Sequence, residues 1–140
     1  MQRGRRIAFD YGDVRIGVAI SDPDSILCSP LLTLQTADNK LNARIVEIIQ
    51  EHQPIQIFVG RPALLSGNDG VAVEKANAFA QRLKGLTTVQ IEMIDERMST
   101  VSAARNLRES GKSAKESKSR IDMAAAVAIL EFALEIEKRK

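Results

Sequence analysis

Three acidic positions carry the residue types and the spacing that metal-ion chemistry requires. Asp10 ends the first apolar run, the pair Asp95–Glu96 ends the last predicted strand, and Asp122 lies in an apolar C-terminal segment. Parallel strands bring their carboxyl ends to one edge of a sheet, where ligands of open α/β sheets bind. Carboxylates that meet at one point repel each other unless a cation lies between them, and oxygen-only ligands suit Mg²⁺ or Mn²⁺. The pattern therefore predicts a divalent-metal site that serves phosphate chemistry.

The two strand-end acids also have ordinary structural explanations. Asp10 can simply begin a turn at Gly12 and Asp13, since aspartate and glycine are typical turn residues. Asp95 or Glu96 can cap the helix that is predicted to start near residue 99. On the residues alone, each alternative stays open beside the metal-site interpretation.

Asp122 is the acid whose surroundings are hardest to explain without a function. It is flanked by apolar residues within a segment of good helix formers. It can pair with Lys118 one turn earlier, or form a local hydrogen bond through Ser119. The small side chains of Ala125 and Ala126 would instead let this helix pack closely across the sheet and present Asp122 to the strand ends.

Other kinds of site are disfavoured by the residues that are rare. His52 is the only histidine and precedes Pro54, so we expect a residue at a helix end and no histidine triad or multi-histidine metal site. Cys28 is the only cysteine, which excludes an intramolecular disulfide and fits a reducing, cytoplasmic location. Neither GxGxxG nor GxxxxGK[ST] occurs, and there is no apolar run of membrane-spanning length or secretory h-region.

The basic residues are unevenly distributed, although the formal net charge is only +2. Six basic and two acidic residues lie between positions 105 and 120, and a second basic cluster is formed by Arg3, Arg5 and Arg6. This pattern fits either two solvated faces or a phosphate-binding surface.

The elements that must position these residues alternate along the 140-residue chain, which has the length of one domain. Hydrophobic periodicity and turn residues predict strands over 7–12, 15–22, 31–36, 55–60 and 89–95, and helices over 41–52, 71–83, 99–108 and 113–138. Asp13 and Asp22 are expected in turns. A hairpin followed by alternating strands and helices predicts an α/β fold, with a mixed sheet and helices on both faces.

Four motifs, in this order and spacing, resemble the YqgF/RuvX family of the RNase H-like superfamily. They are DYGDVRIGVAISD, the VGRP segment, DERMST and the IDMAAAVAIL helix, and together they span nearly the whole chain. The family comprises small bacterial pre-16S rRNA processing nucleases or Holliday junction resolvases. The resemblance implies a five-stranded mixed sheet flanked by helices, formed by residues 1–140 as a single nuclease domain.

The resemblance also assigns roles to individual residues. Asp10, Glu96 and Asp122 match the metal-binding and catalytic acids, and Gly12 matches a glycine that lets the backbone approach the site. Arg15 and Arg97 match basic positions that can meet a phosphate. At Arg61 the chain departs from the family, which often has an apolar residue between the glycine and proline of this loop. The residues expected to contact nucleic acid are Arg15, Arg61, Arg97, Arg105, Arg108, Lys112, Lys115 and Lys118.

The function that follows is metal-assisted hydrolysis of phosphodiester bonds with Mg²⁺ or Mn²⁺, in the 5′-end maturation of pre-16S rRNA. One ion would activate a water and a second, about 3.5–4 Å away, would stabilise the leaving oxygen. The alternatives are a Holliday junction resolvase, which needs two active sites and hence a homodimer, and a nucleic-acid-binding module without catalysis. An actin-like ATPase would need two such lobes, about twice this length.

Overall fold

The computed structural model describes residues 1–61, 70–95 and 115–140, with the side chains of the last segment described from residue 120 onward. The strands are β1 Arg6–Tyr11, β2 Arg15–Ser21, β3 Cys28–Gln35, β4 Gln56–Arg61 and β5 Gln90–Asp95, and the helices are α1 Leu41–His52, α2 Gly70–Leu86 and α3 Lys115–Lys138. Every predicted element in these segments is confirmed. The helix predicted over 99–108 lies outside the described residues.

The five strands form one mixed sheet in the order β3-β2-β1-β4-β5. β1 pairs antiparallel with β2, as the tight turn after β1 requires, and β2 pairs antiparallel with β3. β1 pairs parallel with β4 and β4 with β5, so the carboxyl ends of these three strands share one edge. The mixed sheet is as predicted, and this edge is where the acids at the ends of β1 and β5 were expected to meet.

Side-chain alternation along the strands divides the core between the two faces of the sheet. On one face Phe9 of β1 packs in a cluster with α1 and α2, where its ring meets that of Phe79 edge to face at 5.6 Å. On the other face Ala8, Phe58 and the fully buried Ala126 of α3 belong to a second cluster. Helices therefore cover both faces, and among the described helices only α3 covers the face on which even-numbered residues of β1 lie.

The first helix ends as its sequence indicates. Gln53 adopts the left-handed conformation with a φ of 49° and donates its backbone N–H to the carbonyl of Ile49. His52 is the last residue of α1, which confirms its predicted place at a helix end. Pro54 follows and cannot continue the helix.

A buried arginine ties the N-terminal segment to the sheet at the end opposite the strand-end acids. Arg6 is only 3% exposed. Its Nε donates to Oε1 of Gln56 at 3.1 Å, its Nη1 to Oγ of Ser25 at 2.7 Å, and its Nη2 to the carbonyl of Gln2 at 3.0 Å. These acceptors compensate a guanidinium that could not otherwise be buried.

The same network continues to the C-terminal end of α3. Gln56 donates to Oε2 of Glu92 at 3.0 Å, and Nζ of Lys140 lies 2.9 Å from Oε1 of Glu137. The hydrogen bond from Lys140 lowers the pKa of Glu137, with smaller contributions in the same direction from Gln56 and Arg6. We call this set the anchor network; it comprises Arg6, Ser25, Gln56, Glu92, Glu137 and Lys140.

The anchor network corrects the interpretation of the N-terminal basic cluster. Neither a shared solvated face nor a phosphate-binding surface describes it, because Arg6 points into the protein. Arg3 pairs with Asp24 at 2.8 Å in solvent, and Arg5 is exposed. The three arginines therefore do not form one surface, because only Arg6 belongs to β1 and is buried, whereas Arg3 and Arg5 precede the strand and are exposed.

Within the described segments, no helix is long and apolar enough to cross a membrane.

Candidate active site

Asp10 lies within β1 and its side chain is fully buried. It follows Ala8 on the face that α3 covers, and its exposure is 0%. The alternative that Asp10 begins the turn is therefore wrong, since the strand continues through Tyr11. The turn acid is Asp13, which pairs with Lys75 at 2.8 Å in solvent and raises the pKa of that lysine.

Asp22 lies in the loop after β2, as predicted. Oδ1 of Asp22 accepts backbone N–H groups from Leu27 at 3.0 Å and from Ile26 at 2.7 Å. These hydrogen bonds lower the pKa of Asp22. The Asp22 carboxylate thus organises a loop, and this confirms its expected place in a turn.

Gly17 brings Asp10 and Asp122 to the same place. It is the cross-strand partner of Asp10 in the β1–β2 ladder. A Cβ atom built on Gly17 would lie 2.1 Å from the backbone carbonyl oxygen of Asp122, a distance that side-chain carbons do not adopt. Only glycine lets α3 approach this closely, so both aspartates adjoin Gly17.

Asp122 is 1% exposed and forms an ion pair with Arg15, the first residue of β2. Nε of Arg15 donates to Oδ2 of Asp122 at 2.8 Å, and the two side chains are 13% and 2% exposed. Arg15 and Gly17 are two positions apart in β2, so both lie on the face of the sheet that α3 covers. The sequence suggested Lys118 or Ser119 as partners of Asp122, and both of these side chains lie outside the described residues. Arg15 is a partner from a different element.

Gly12 owes its place to the hairpin itself. A Cβ atom on Gly12 would lie 2.6 Å from the carbonyl oxygen of Arg15. Thr36 holds the hairpin from the side, because its Oγ1 donates to the Gly12 carbonyl at 2.7 Å and its backbone N–H to the Val14 carbonyl at 3.0 Å. The structure thus gives Gly12 a packing reason, and the predicted role of Gly12 in letting the backbone approach the active site stays a prediction.

Arg61 and Asp95 end β4 and β5 and are register partners. Arg61 is exposed. Arg61 is two positions beyond Val59 and four beyond Ile57, so the three residues lie on the same face of the sheet. Ile57 and Val59 belong to the cluster with α1 and α2, so Arg61 lies on the face opposite Asp122. Arg61 therefore shares the carboxyl edge of the sheet with Asp10 without sharing its face.

Several predicted site residues cannot be placed. Lys115 and Lys118 lie in the first turns of α3, where only the backbone is described. The predicted residues outside the described segments are Glu96, Arg97, Arg105, Arg108 and Lys112. In residues 1–61, 70–95 and 115–140, no three His, Cys, Asp or Glu side chains group together as a metal site. The structure thus brings together two of the three predicted ligands, and the third lies outside its range.

Sequence reasoning missed the role of Gly17. A signal for it exists, because a lone glycine inside a strand pattern often marks a close approach of backbone. RIGVAIS is such a pattern. The ion pair of Arg15 with Asp122 has no comparable signal, since the two residues are 107 positions apart.

A five-stranded mixed sheet with one long helix across a face, and a buried aspartate on each of the two, has the RNase H-like architecture. The structure of T. thermophilus RuvC in complex with a Holliday junction substrate aligns with a TM-score of 0.58 over 96% of both chains, at 17% identity. A second structure of Thermus thermophilus RuvC aligns with a TM-score of 0.55 at the same coverage and identity. At this identity the likeness shows the fold alone, and that fold is the predicted one.

The sequence comparisons then define the family. The RuvX family model, described as Holliday junction resolvase, matches residues 4–136. A protein of Streptomyces coelicolor named "Putative pre-16S rRNA nuclease" is 46% identical over 99% of this chain and 84% of its own length. A protein of Streptomyces avermitilis with the same name is 46% identical over 99% of this chain and 90% of its own length. The chain belongs to the RuvX family.

Proposed function

We propose that this protein is a metal-dependent nuclease that hydrolyses phosphodiester bonds in the 5′-end maturation of pre-16S rRNA, in the cytoplasm. One observation carries the proposal: two buried carboxylates, Asp10 and Asp122, adjoin Gly17 on the α3 face. The names of the 46% identical relatives support the choice of substrate. The family match over residues 4–136 supports a single nuclease domain.

The donor set fits a hard divalent cation. Asp10 and Asp122 offer carboxylate oxygens only, and their burial makes uncompensated negative charge costly. Asp122 already holds a cationic group, Arg15, so this position stabilises positive charge. Asp10 and Asp122 would hold Mg²⁺ or Mn²⁺ together with Glu96. A divalent cation bound there would lower the pKa of an attacking water and offset charge on the phosphodiester.

The other residues would bind and orient the nucleic acid. Arg15 lies beside Asp122 and can meet the phosphate next to the scissile bond, whereas Arg61 at the strand edge can contact a more distant phosphate. The basic residues 105–118 would extend this contact along the backbone of the substrate. Such contacts give affinity that depends on salt and little on base sequence, so the shape of a structured RNA would set specificity.

A Holliday junction resolvase is the second candidate. The description of the RuvX family favours it, as does the junction bound in the RuvC structure of similar fold. Resolution of a four-way junction needs two coordinated sites and therefore a homodimer. An RNA-trimming enzyme has no such requirement, so oligomeric state and products separate the two. A nucleic-acid-binding module without catalysis is the third outcome to be tested.

The decisive experiment compares matched aspartate variants on two substrates. Wild type, Asp10→Asn and Asp122→Asn are incubated with Mg²⁺ or Mn²⁺ and either a pre-16S rRNA fragment or a synthetic four-way DNA junction. Asp24→Asn is the matched control, because Asp24 is half exposed and pairs with Arg3 far from Gly17. We expect cleavage of the RNA by wild type and control, and a loss of about a hundredfold or more in both site variants.

The remaining outcomes are equally informative. Paired symmetric nicks in the junction, with intact RNA, would transfer the proposal to the resolvase. Binding of either substrate without cleavage by wild type would favour the non-catalytic module. Equal cleavage by wild type and Asp10→Asn would refute the site.

A further inference from the structure

Arg15 forms an ion pair with Asp122, a proposed metal ligand, and the proposed reaction does not by itself explain this pair. Its Nε hydrogen-bonds one oxygen of Asp122 at 2.8 Å, in surroundings where the two side chains are 13% and 2% exposed. Arginine keeps its charge at every working pH, so this cation cannot be removed by deprotonation. A buried pair of this kind is costly to desolvate, and breaking it leaves an uncompensated charge.

The pair therefore opposes uptake of another cation at the same carboxylate. With Arg15 in place, one oxygen of Asp122 is engaged and the negative charge of Asp122 is already compensated. A divalent cation that binds Asp122 would have to tolerate the neighbouring guanidinium or take its place. Because two cations repel each other, displacement of the Arg15 guanidinium by the divalent cation is the favourable alternative.

We propose that Arg15 is a positioning residue that holds Asp122 until the carboxylates take up a divalent cation, and that then leaves Asp122 to bind a phosphate of the substrate. This inference rests on the proposed nuclease function and adds the order of two events, in which the metal binds before Arg15 contacts the phosphate. Arg15 would prevent the two buried aspartates from repelling each other in the metal-free protein. Once released, its charge would become available where the nucleic-acid backbone must lie.

The location of Arg15 allows this movement. It is the first residue of β2 and follows the hairpin loop 12–14, whose Val14 is 61% exposed. The Arg15 side chain is already 13% exposed, and the proposed release involves rotation about its own side-chain bonds without movement of the strand. The backbone of Asp122 packs against Gly17, so the position of α3 at this residue does not depend on Arg15.

The first test measures metal affinity in the absence of any substrate. Mn²⁺ binding is followed by calorimetry in wild type, Arg15→Gln, Arg15→Lys and the matched control Lys75→Gln. The control removes one positive charge next to the same hairpin, where Lys75 pairs with Asp13 and not with Asp122. Hydrogen bonds to charged groups change equilibrium constants by roughly ten- to a hundredfold, so Arg15→Gln should bind Mn²⁺ about tenfold more tightly.

The order of affinities decides the matter. Arg15→Lys should lie near wild type because it keeps the charge, and Lys75→Gln should equal wild type. Unchanged or weaker Mn²⁺ binding by Arg15→Gln would overturn the inference, because Arg15 would then only support the ligand. If wild type binds no Mn²⁺ and cleaves nothing, the proposed function itself fails, whereas binding and cleavage by wild type without tighter binding in Arg15→Gln refutes this inference alone.

A measurement on the wild-type protein covers the case in which Arg15→Gln does not fold. The Nε–H proton of Arg15 should be protected from exchange in the metal-free protein and should lose that protection on saturation with Mg²⁺, followed by NMR. Retained protection in the saturated protein would contradict the release of Arg15.

The second test concerns the phosphate. A phosphorothioate RNA oligonucleotide is titrated at several salt concentrations, with Mg²⁺ or with EDTA. Loss of one phosphate contact lowers the slope of log affinity against log salt by about one. We expect this loss in Arg15→Gln, or in Arg15→Ala should the first variant not fold, with Mg²⁺ and not with EDTA. A similar loss under both conditions would mean that Arg15 binds phosphate without first being released.

Discussion

Replacement of Gly17 by alanine would test the close approach between β2 and α3. A Cβ atom at this position would lie 2.1 Å from the carbonyl oxygen of Asp122, 2.6 Å from its carbonyl carbon and 3.1 Å from the nitrogen of Met123. All three are backbone atoms of α3, so no side chain can rotate away. The helix itself must move, or the strand must bend.

The size of the effect follows from these distances. Ordinary carbon contacts begin near 3.5 Å, so the 2.1 Å separation from the carbonyl oxygen of Asp122 must grow by about 1.4 Å. Overpacking of a buried site by one methyl group typically costs about 1–3 kcal/mol. A 1 Å displacement of a catalytic group can cost about a hundredfold in rate, so cleavage should fall more than stability alone explains. The cause would be the displaced carboxylate of Asp122, which remains chemically intact.

The assay combines urea unfolding with Mn²⁺ binding and cleavage of the pre-16S rRNA fragment. Gly85→Ala in α2 is the matched control, because nothing lies within 4 Å of the added Cβ atom. That change should stabilise the protein by about 0.5–1 kcal/mol through helix propensity. If Gly17→Ala proves as stable as wild type and binds Mn²⁺ equally well, α3 does not lie against Gly17 and the proposed site loses its geometric basis.

Three further perturbations follow from described contacts. Glu137→Gln should destabilise the protein at pH 7 by about 1 kcal/mol, because it removes the ion pair with Lys140. The folded-state pKa of Glu137 is lowered, so this contribution is present above the ordinary value of 4.5 and is lost as the pH falls through the lowered pKa. The difference between the urea midpoints of the two proteins should therefore shrink as the pH is lowered below 4.5, and a difference that grows would contradict this. Thr36→Val should cost about 1 kcal/mol through loss of the hydrogen bond to the Gly12 carbonyl, and an unchanged urea midpoint would contradict this. The thiol of Cys28, whose pKa burial raises to about 11, should react slowly with iodoacetamide at pH 8 and faster towards pH 11; fast alkylation of the folded protein at pH 8 would show that the thiol is not buried as described.

The fold was largely predictable because local signals and tertiary structure agree. β1 and β2 are rich in β-branched and aromatic residues around a Gly-Asp turn, and Pro54 stops α1. β3 was predicted too short, since Pro30 suggested a loop. Proline is tolerated there because β3 is an edge strand of the described sheet, where an absent N–H breaks no ladder on the open side.

The candidate site was predictable to a smaller extent. An acid after an apolar run and an acid in an apolar helix drew attention to Asp10 and Asp122, and the structure places both beside one glycine. Their roles as metal ligands stay predictions, as does that of Glu96. The partner of Asp122 could not be predicted, because long-range ion pairs depend on strand register and helix docking. The burial of Arg6 escaped detection for the same reason.

The anchor network has a practical consequence for engineering the chain. Arg6 holds the carbonyl of Gln2 and interacts with Glu137, which in turn binds Lys140, so both ends of this chain lie within a few side-chain contacts of each other. A short flexible linker could therefore join them in a circular permutant, with new termini opened at the exposed turn around Lys40. About 15 residues of α3, or roughly 22 Å, separate Glu137 from Asp122, which keeps the junction away from the aspartates.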